Sequence, residues 1–215
     1  MARAGTETPR ERYRTQVRTE IKERAWEQIA TAGASALSLN AIAKQMGMSG
    51  PALYRYYAGR DELITELITD AYRSLADTLH STAGAGEDLA GLAQALRAWA
   101  LEDPQRYFLI YGTPVPGYHA PDDTTAISSE IMAILLDACT ALTSDSPATP
   151  FGTHLEDHRE WAGDHPAPPA ALHRALSFWT RIHGVLSLEL AGHFTGMGLD
   201  PARLFAAELD DLLAR

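Results

Sequence analysis

The feature that most constrains the fold is the segment 38–63, SLNAIAKQMGMSGPALYRYYAGRDEL. Its residues carry the start and stop signals of two short helices joined by a tight turn. Ser38 and Ser49 stand where a serine oxygen can cap the start of a helix. Gly47 falls at the end of the first helix, in the left-handed backbone region that glycine enters at least cost. Pro51 is tolerated in the first turn of the second. The pattern predicts a helix-turn-helix, whose second helix enters the major groove of DNA.

Charge is unevenly distributed along the chain. Residues 1–60 contain ten Lys or Arg and five Glu, a net charge of +5, whereas the whole chain carries −10. The remaining residues therefore carry −15. A chain that is basic only at the end bearing the motif is typical of a protein that contacts nucleic acid there.

With these residues in view, the segment resembles the DNA-binding domain of TetR-type (tetracycline-repressor-like) transcription regulators. The matching positions are Ile42, Ala43, Gly47, Ser49, Leu53, Tyr54, Tyr56 and Leu63. Tyr57 stands where the family usually has phenylalanine and Arg60 where it usually has lysine, so each keeps an aromatic ring or a cation. The resemblance implies a three-helix DNA-binding domain followed by a larger helical domain that binds a ligand and dimerises.

Helical spacing recurs along the chain and strand-like alternation is almost absent, so we expect an all-α fold of about nine helices, three of them in the DNA-binding domain. The predicted divisions are a flexible basic arm at 1–9, a DNA-binding domain at 10–59 and an effector-binding and dimerisation domain at 60–215. Expected helices cover about 13–32, 60–80, 87–102, a short run to Tyr111, 123–143, 169–195 and 200–214. The proline-rich stretch 144–169 is expected to be loop and broken helix.

Composition argues against several other classes of protein. No stretch approaches the roughly 18–20 continuous apolar residues of a membrane span. The N-terminus lacks the apolar centre of a signal peptide. The single cysteine, Cys139, cannot form an internal disulfide. We expect a soluble cytoplasmic protein without a cofactor.

The resemblance also indicates which residues would contact DNA. Helix N-termini favour anions, so Ser38 and Ser49 are expected at phosphates. Arg55 is the candidate for base reading, because a guanidinium can grip guanine O6 and N7 together. The whole predicted contact set is Ser38, Lys44, Ser49, Gly50, Pro51, Ala52, Tyr54, Arg55, Tyr56 and Arg60. Lys44 could equally be a solvated lysine, and Leu53 and Tyr57 are expected in the core.

The predicted helix 169–195 is apolar on nearly every side, so it should be buried on nearly every side. By resemblance to the family, the last two helices pair with those of a second subunit to form a homodimer on a palindromic operator. The expected interface is Leu176, Val185, Leu186, Leu188, Glu189, Phe194, Leu204, Phe205, Leu209 and Leu212. Trp179, His183 and Gly184 also resemble a W-x-x-x-H-G signature of one subgroup of the family.

The resemblance to the family implies a repressor that a small molecule releases from DNA. Aromatic and polar residues of the C-terminal part could line its pocket, or could equally form a plain core. They are Trp99, Tyr107, Phe108, Tyr111, Tyr118, His119, Phe178, Trp179 and His183. A dimeric regulator without a ligand, or an activator, remains an alternative.

A metal protein or enzyme is the further alternative. His154 and His158 are four residues apart in HLEDHREWAGDH, a spacing that can bind zinc, with Glu156, Asp157 and His165 nearby. The glutamate is not adjacent to the first histidine, as it is in H-E-x-x-H, and prolines flank the polar segment. A solvated loop is therefore favoured, with no metal and no catalytic residue.

Overall fold

A computed structural model describes residues 8–115, 117–142 and 149–214, and this part of the chain contains ten α-helices and no strand. The all-α prediction is confirmed. The helices are α1 (Pro9–Ala32), α2 (Leu39–Gln45), α3 (Gly50–Leu53), α4 (Arg60–Gly84), α5 (Leu89–Glu102), α6 (Pro104–Tyr111), α7 (Asp122–Ala141), α8 (Pro150–Asp157), α9 (Pro169–Leu190) and α10 (Pro201–Leu213). Short 3-10 turns occur at Ala34–Ala36 and Glu160–Ala162.

The chain divides into two compact units. Unit 1 contains the chain up to Ile68 together with Thr113–Ala120, and so includes α1, α2, α3 and the start of α4. Unit 2 contains Thr69–Gly112 and the chain from Pro121 onward. The proline- and glycine-rich segment 113–120, which the predicted division assigned to the C-terminal domain, groups with unit 1.

Helix α1 begins four residues earlier than the predicted start near residue 13. The Thr8 hydroxyl accepts a hydrogen bond from the Glu11 N–H, and the Glu11 carboxylate accepts one from the Thr8 N–H at 2.7 Å. This reciprocal capping box satisfies two donors of the first turn, and Pro9 suits the first helical position. Helix therefore already occupies Pro9, a residue of the predicted basic arm; residues 1–7 of that arm lie outside the described residues.

The core of unit 2 is built mainly from α5, α7, α9 and α10, and buried residues of α4, α6 and α8 join it. By length and composition alone α7 could cross a membrane, but Ile127, Ile131, Leu135 and Cys139 are buried in this core. It is therefore the core helix of a folded unit.

Two predicted elements near the C-terminus need correction. Helix α9 ends at Leu190 and not near residue 195, because the backbone reverses at Gly192 with φ +75°. Phe194 accordingly lies beyond the helix. In the proline-rich stretch, α8 is a regular two-turn helix capped by Thr149, whose hydroxyl accepts a hydrogen bond from the Gly152 N–H at 3.0 Å. Residues 143–148 lie outside the described residues.

Candidate nucleic-acid interface

The turn between α2 and α3 is fixed by backbone hydrogen bonds. The Gly47 N–H donates to the Lys44 carbonyl at 3.2 Å and the Met48 N–H to the Ala43 carbonyl at 2.8 Å, while Gly47 has φ +65°. This Schellman arrangement ends α2 abruptly. At the other end of α2 the Ser38 hydroxyl accepts from the Ala41 N–H at 3.3 Å. The capping role of Ser38 and the left-handed Gly47 are both confirmed.

Helix α3 presents one face to the core and the other to solvent. Leu53 and Tyr57 are 0% exposed, which confirms that both belong to the core. Tyr54 is 47% exposed, and Arg55 beside it is also exposed. Ser49 stands at the N-cap of α3, but its side chain makes no capping hydrogen bond.

All ten predicted DNA-contact residues lie in unit 1. Five are exposed and five are half-buried. The exposed ones are Lys44, Ser49, Pro51, Tyr54 and Arg55; the half-buried ones are Ser38, Gly50, Ala52, Tyr56 and Arg60. Arg60 already donates to the Ala34 carbonyl at 2.9 Å, so part of its guanidinium holds the turn before α2.

Arg18 positions the segment that follows α3, and sequence reasoning missed it. Its guanidinium donates to the Tyr56 carbonyl at 2.7 Å, lies 4.2 Å from the centre of the Tyr57 ring, and pairs with Glu66. Lys22 reaches the same carboxylate at 3.1 Å. Burial alone would raise the pKa of Glu66, but hydrogen bonds from Lys22 and Arg18 outweigh burial and lower it. No local pattern reveals Arg18, because its partners lie 38 and 48 residues away.

Unit 1 also has cations that no acid neutralises. Within the described part of the chain, five exposed cations form no ion pair. They are Arg10, Arg12, Arg14, Lys44 and Arg55. Such cations can release counterions from a phosphate backbone, which favours binding to DNA.

Four of the predicted effector residues form a cluster in unit 2. The ring of His183 lies 5.6 Å from that of Tyr107, 4.3 Å from Tyr111 and 4.2 Å from Trp179. The Tyr107 hydroxyl lies 3.0 Å from His183 Nδ1 and 2.9 Å from the Ser187 hydroxyl. Burial lowers the pKa of His183 to about 4, and it raises that of Tyr111 well above its ordinary value.

The other predicted effector residues are dispersed. Phe108 packs edge-on against Tyr107 at 5.6 Å. Trp99 is buried, and its indole N–H donates to the Ser74 hydroxyl at 3.1 Å. Phe178 is 0% exposed and belongs to the core of unit 2. Tyr118 and His119 fall in the segment that groups with unit 1.

Half of the predicted dimer interface is core instead. Five residues are buried inside their own chain, so they have no surface left to bury against a partner: Val185, Leu186, Phe205, Leu209 and Leu212. Glu189 is held by Arg97, with a closest distance of 2.5 Å. Leu188 is 45% exposed, while Leu176, Phe194 and Leu204 are half-buried.

The histidines of the 154–165 segment do not gather around a common point. The rings of His154 and His158 stack at 4.3 Å, and His158 Nδ1 donates to the His154 carbonyl at 2.9 Å. His165 instead lies 3.1 Å from Asp137. Across the described residues, no three His, Cys, Asp or Glu side chains are placed to hold a metal ion.

Comparison with known proteins gives two family matches. Residues 21–67 match the model described as bacterial regulatory proteins, tetR family, and residues 89–212 match the tetracyclin repressor-like C-terminal domain. An HTH-type transcriptional regulator of Mycobacterium tuberculosis, Rv1816, is 36% identical over an alignment 217 residues long. The alignment covers 94% of this chain and 92% of that protein. A regulator of Mycobacterium bovis matches equally well.

Solved structures give the same fold. The protein SCO4313, known from a crystal structure, is 74% identical; the match covers 97% of this chain and 100% of that chain, and the two superpose with a TM-score of 0.89. A protein from Rhodococcus sp. RHA1 shares the fold at 22% identity and a TM-score of 0.67, over 92% of this chain and 94% of its own.

Proposed function

The chain belongs to the TetR family of DNA-binding transcriptional regulators, and we propose that it is a homodimeric repressor that a small molecule releases from a palindromic operator. The observation that carries the DNA side is the exposed Tyr54-Arg55 pair at the end of α3, next to the Tyr56 carbonyl that Arg18 holds. Its relatives are transcriptional regulators, which agrees with a role in the cytoplasm as a regulator and not as an enzyme.

On DNA, each subunit would place α3 in a major groove, with the two grooves about 34–36 Å apart. The small residues Gly50, Pro51 and Ala52 leave room for the backbone to approach the base edges. Arg55 would read a guanine through O6 and N7. Ser49 has a hydroxyl that caps nothing in its own helix, and it would donate to a phosphate.

The dimer would use the outward faces of α9 and α10. Thr180, Gly184 and Leu188 are exposed and four residues apart, so they share one face of α9. A Cβ built on Gly184 meets no atom of this chain within 4 Å. That open space would admit a helix of the partner subunit. Burial against a partner would also account for Leu188, whose large apolar side chain is otherwise half in water.

Release would be a shift between two states of the dimer. In one state the two α3 helices of the dimer have the spacing that fits DNA, and in the other they do not. A ligand that binds unit 2 more tightly in the second state lowers the affinity for DNA, and the size of the effect is set by the difference between its affinities for the two states. The cluster around His183 is the part of unit 2 where such a ligand would act.

The deciding experiment is binding of the purified protein to the DNA upstream of its own gene across a salt series, for the wild type and Arg55→Ala. If Arg55 reads a base, its loss should cost about 1–3 kcal/mol and relax selectivity at one position of the site. Arg73→Ala is the control, since Arg73 lies on α4 in unit 2, outside the proposed DNA and dimer faces, and its side chain is 43% accessible.

Loss of affinity spread evenly over all sequences would make Arg55 a phosphate contact. Binding to upstream DNA and to random fragments with equal, weak affinity, unaffected by Arg55→Ala, should prompt a genome-wide selection of bound fragments. If that selection returns no preferred sequence, the proposed operator function is wrong.

A further inference from the structure

Five rings from three helices of unit 2 form what we call the aromatic cluster: Tyr72 from α4, Tyr107 and Tyr111 from α6, and Trp179 and His183 from α9. Only Tyr107 is fully buried. The other four each keep part of their surface accessible, so a molecule from solvent can reach the cluster. Aromatic faces with few polar groups are the usual lining of a small-molecule site.

Two polar atoms of the aromatic cluster are buried without a partner. The Tyr107 hydroxyl has three neighbours within hydrogen-bonding distance, namely His183 Nδ1, the His183 carbonyl and the Ser187 hydroxyl. By contrast, the Tyr111 hydroxyl and His183 Nε2 have no hydrogen-bond partner. Their rings are 4.3 Å apart. Buried polar groups are nearly always paired, so two unpaired ones on touching rings point to a molecule that pairs with both.

Charge limits what that molecule can be. With the pKa of His183 near 4 and that of Tyr111 raised, both side chains are uncharged at neutral pH. The cations next to the cluster on its own three helices are all paired, Arg73 with Glu130 at 2.7 Å, Arg106 with Glu102 at 3.0 Å and Arg181 with Glu208 at 2.5 Å. A charged ligand would therefore be desolvated without a free counter-charge, which is costly.

The tautomer of His183 limits the polar group of the ligand. If Nδ1 carries the proton, it donates to Tyr107 and Nε2 is a bare acceptor. If Nε2 carries the proton, Nδ1 accepts from Tyr107 and Nε2 is a donor without an acceptor. A hydroxyl satisfies His183 in either case, because it both donates and accepts, and it can pair with Tyr111 as well.

We propose that the aromatic cluster binds an uncharged ligand with a flat aromatic body and a hydroxyl group, which bridges Tyr111 Oη and His183 Nε2. The inference rests on the proposed function, in that it assigns a chemical class and a site to the effector of unit 2. The aromatic body packs against Trp179 and Tyr72, and the hydroxyl replaces the two missing hydrogen bonds.

The test compares four probes by calorimetric titration of the full-length protein at millimolar concentration: p-cresol, toluene, benzoate and benzyltrimethylammonium. The expected result is that p-cresol binds at least about tenfold more tightly than toluene, because one net hydrogen bond contributes about that factor. Benzoate and benzyltrimethylammonium should bind more weakly than p-cresol.

Two variants assign the preference to the two atoms. Tyr111→Phe and His183→Phe should each lower the ratio of the p-cresol association constant to the toluene association constant. The affinity for toluene should stay unchanged, and that result would exclude a loss of folding in the variant. Tyr111→Phe should also raise the Tm of the free protein, since it removes a buried hydroxyl without a partner. Tyr13→Phe, at a tyrosine that is 64% exposed in unit 1, should change neither quantity.

Equal binding of p-cresol and toluene, tighter binding of either charged probe, no binding of any probe, or a ratio preserved in both variants would each overturn the proposal. A gel-shift assay on the same protein separates it from the proposed function. If p-cresol binds as expected without weakening DNA binding, the aromatic cluster is a binding site but it does not control release from DNA. If other compounds release the DNA while no probe binds the aromatic cluster, the proposed release by a small molecule is correct and this inference is wrong.

Discussion

Burial of the His183 side chain opposes its protonation. Its pKa is about 4 in the folded protein and 6.5 for the free side chain. Below pH 6.5 the unfolded chain therefore takes up a proton that the folded chain refuses until about pH 4. The free energy of unfolding should therefore be unaffected by His183 above pH 6.5, and it should fall as the pH drops from 6.5 towards 4. At 1.36 kcal/mol per pH unit the loss is on the order of 3 kcal/mol.

Denaturant titrations at several pH values between 7 and 4 would measure this loss. In His183→Phe, which cannot take up the proton, the fall in unfolding free energy over that range should be smaller by most of that amount. A variant of His193, an exposed histidine in the turn after α9, is the matched control and should fall as the wild type does. A fall of equal size in His183→Phe would show that other groups cause the acid sensitivity.

At this scale the sequence predicted what depends on near neighbours. Ser38 caps a turn three residues away, and Gly47 is needed because the turn requires a positive φ, so both roles can be read locally. The Tyr107–His183 hydrogen bond joins residues 76 apart. The sequence offered both residues for a pocket, but which of their atoms are satisfied depends on how α6 and α9 pack.

At the scale of the element, α1 does more than support the core. Arg10, Arg14 and Arg18 are spaced by four and so share one face of the helix. Arg18 ends this row at the Tyr56 carbonyl, next to the exposed Tyr54-Arg55 pair. At 1.5 Å per residue, Arg14 lies about 6 Å further along the axis. We expect this face of α1 to follow the phosphate backbone beside the recognition helix.

The measurement is the salt dependence of operator binding. Removal of one phosphate contact lowers the slope of log affinity against log salt by about 1 without changing sequence preference, and we expect this of Arg14→Ala. Arg12→Ala removes the same charge from the opposite side of α1 and should leave the slope nearly unchanged. Equal losses in both variants would mean a general charge effect without a contact face.

Helix α9 shows why the sequence predicts that a helix is present more accurately than it predicts which sides of that helix are buried. Its apolar residues surround the axis, so its sequence does not say which side meets α5, α7 and α10 and which stays free. Val185 and Leu186 proved to be core, while Leu188 is exposed. Its end at Leu190 depends on a reversal at Gly192 that the continued apolar pattern concealed.

For the whole molecule, function would depend on pairing two subunits, because one α3 reaches only half of a palindromic site. The chain also has a net charge of −10, with its positive charge in excess only in residues 1–60. A monomer would therefore bring few cations to DNA together with a large acidic remainder. Two subunits on one operator double the phosphate contacts, which makes dimerisation a condition for tight binding.

Leu188→Glu tests that condition. Leu188 is 45% exposed, and a dimer with two-fold symmetry would bury it twice. Losing that burial should cost about 2–3 kcal/mol in all, so the dimer dissociation constant should rise about a hundredfold. Sedimentation across a concentration series measures the shift, and operator binding should weaken in parallel. Leu101→Glu is the matched control, at a leucine of α5 that is 41% exposed. If Leu188→Glu remains dimeric while keeping its fold, the subunits pair through a different face, and the outward face of α9 is free for another partner.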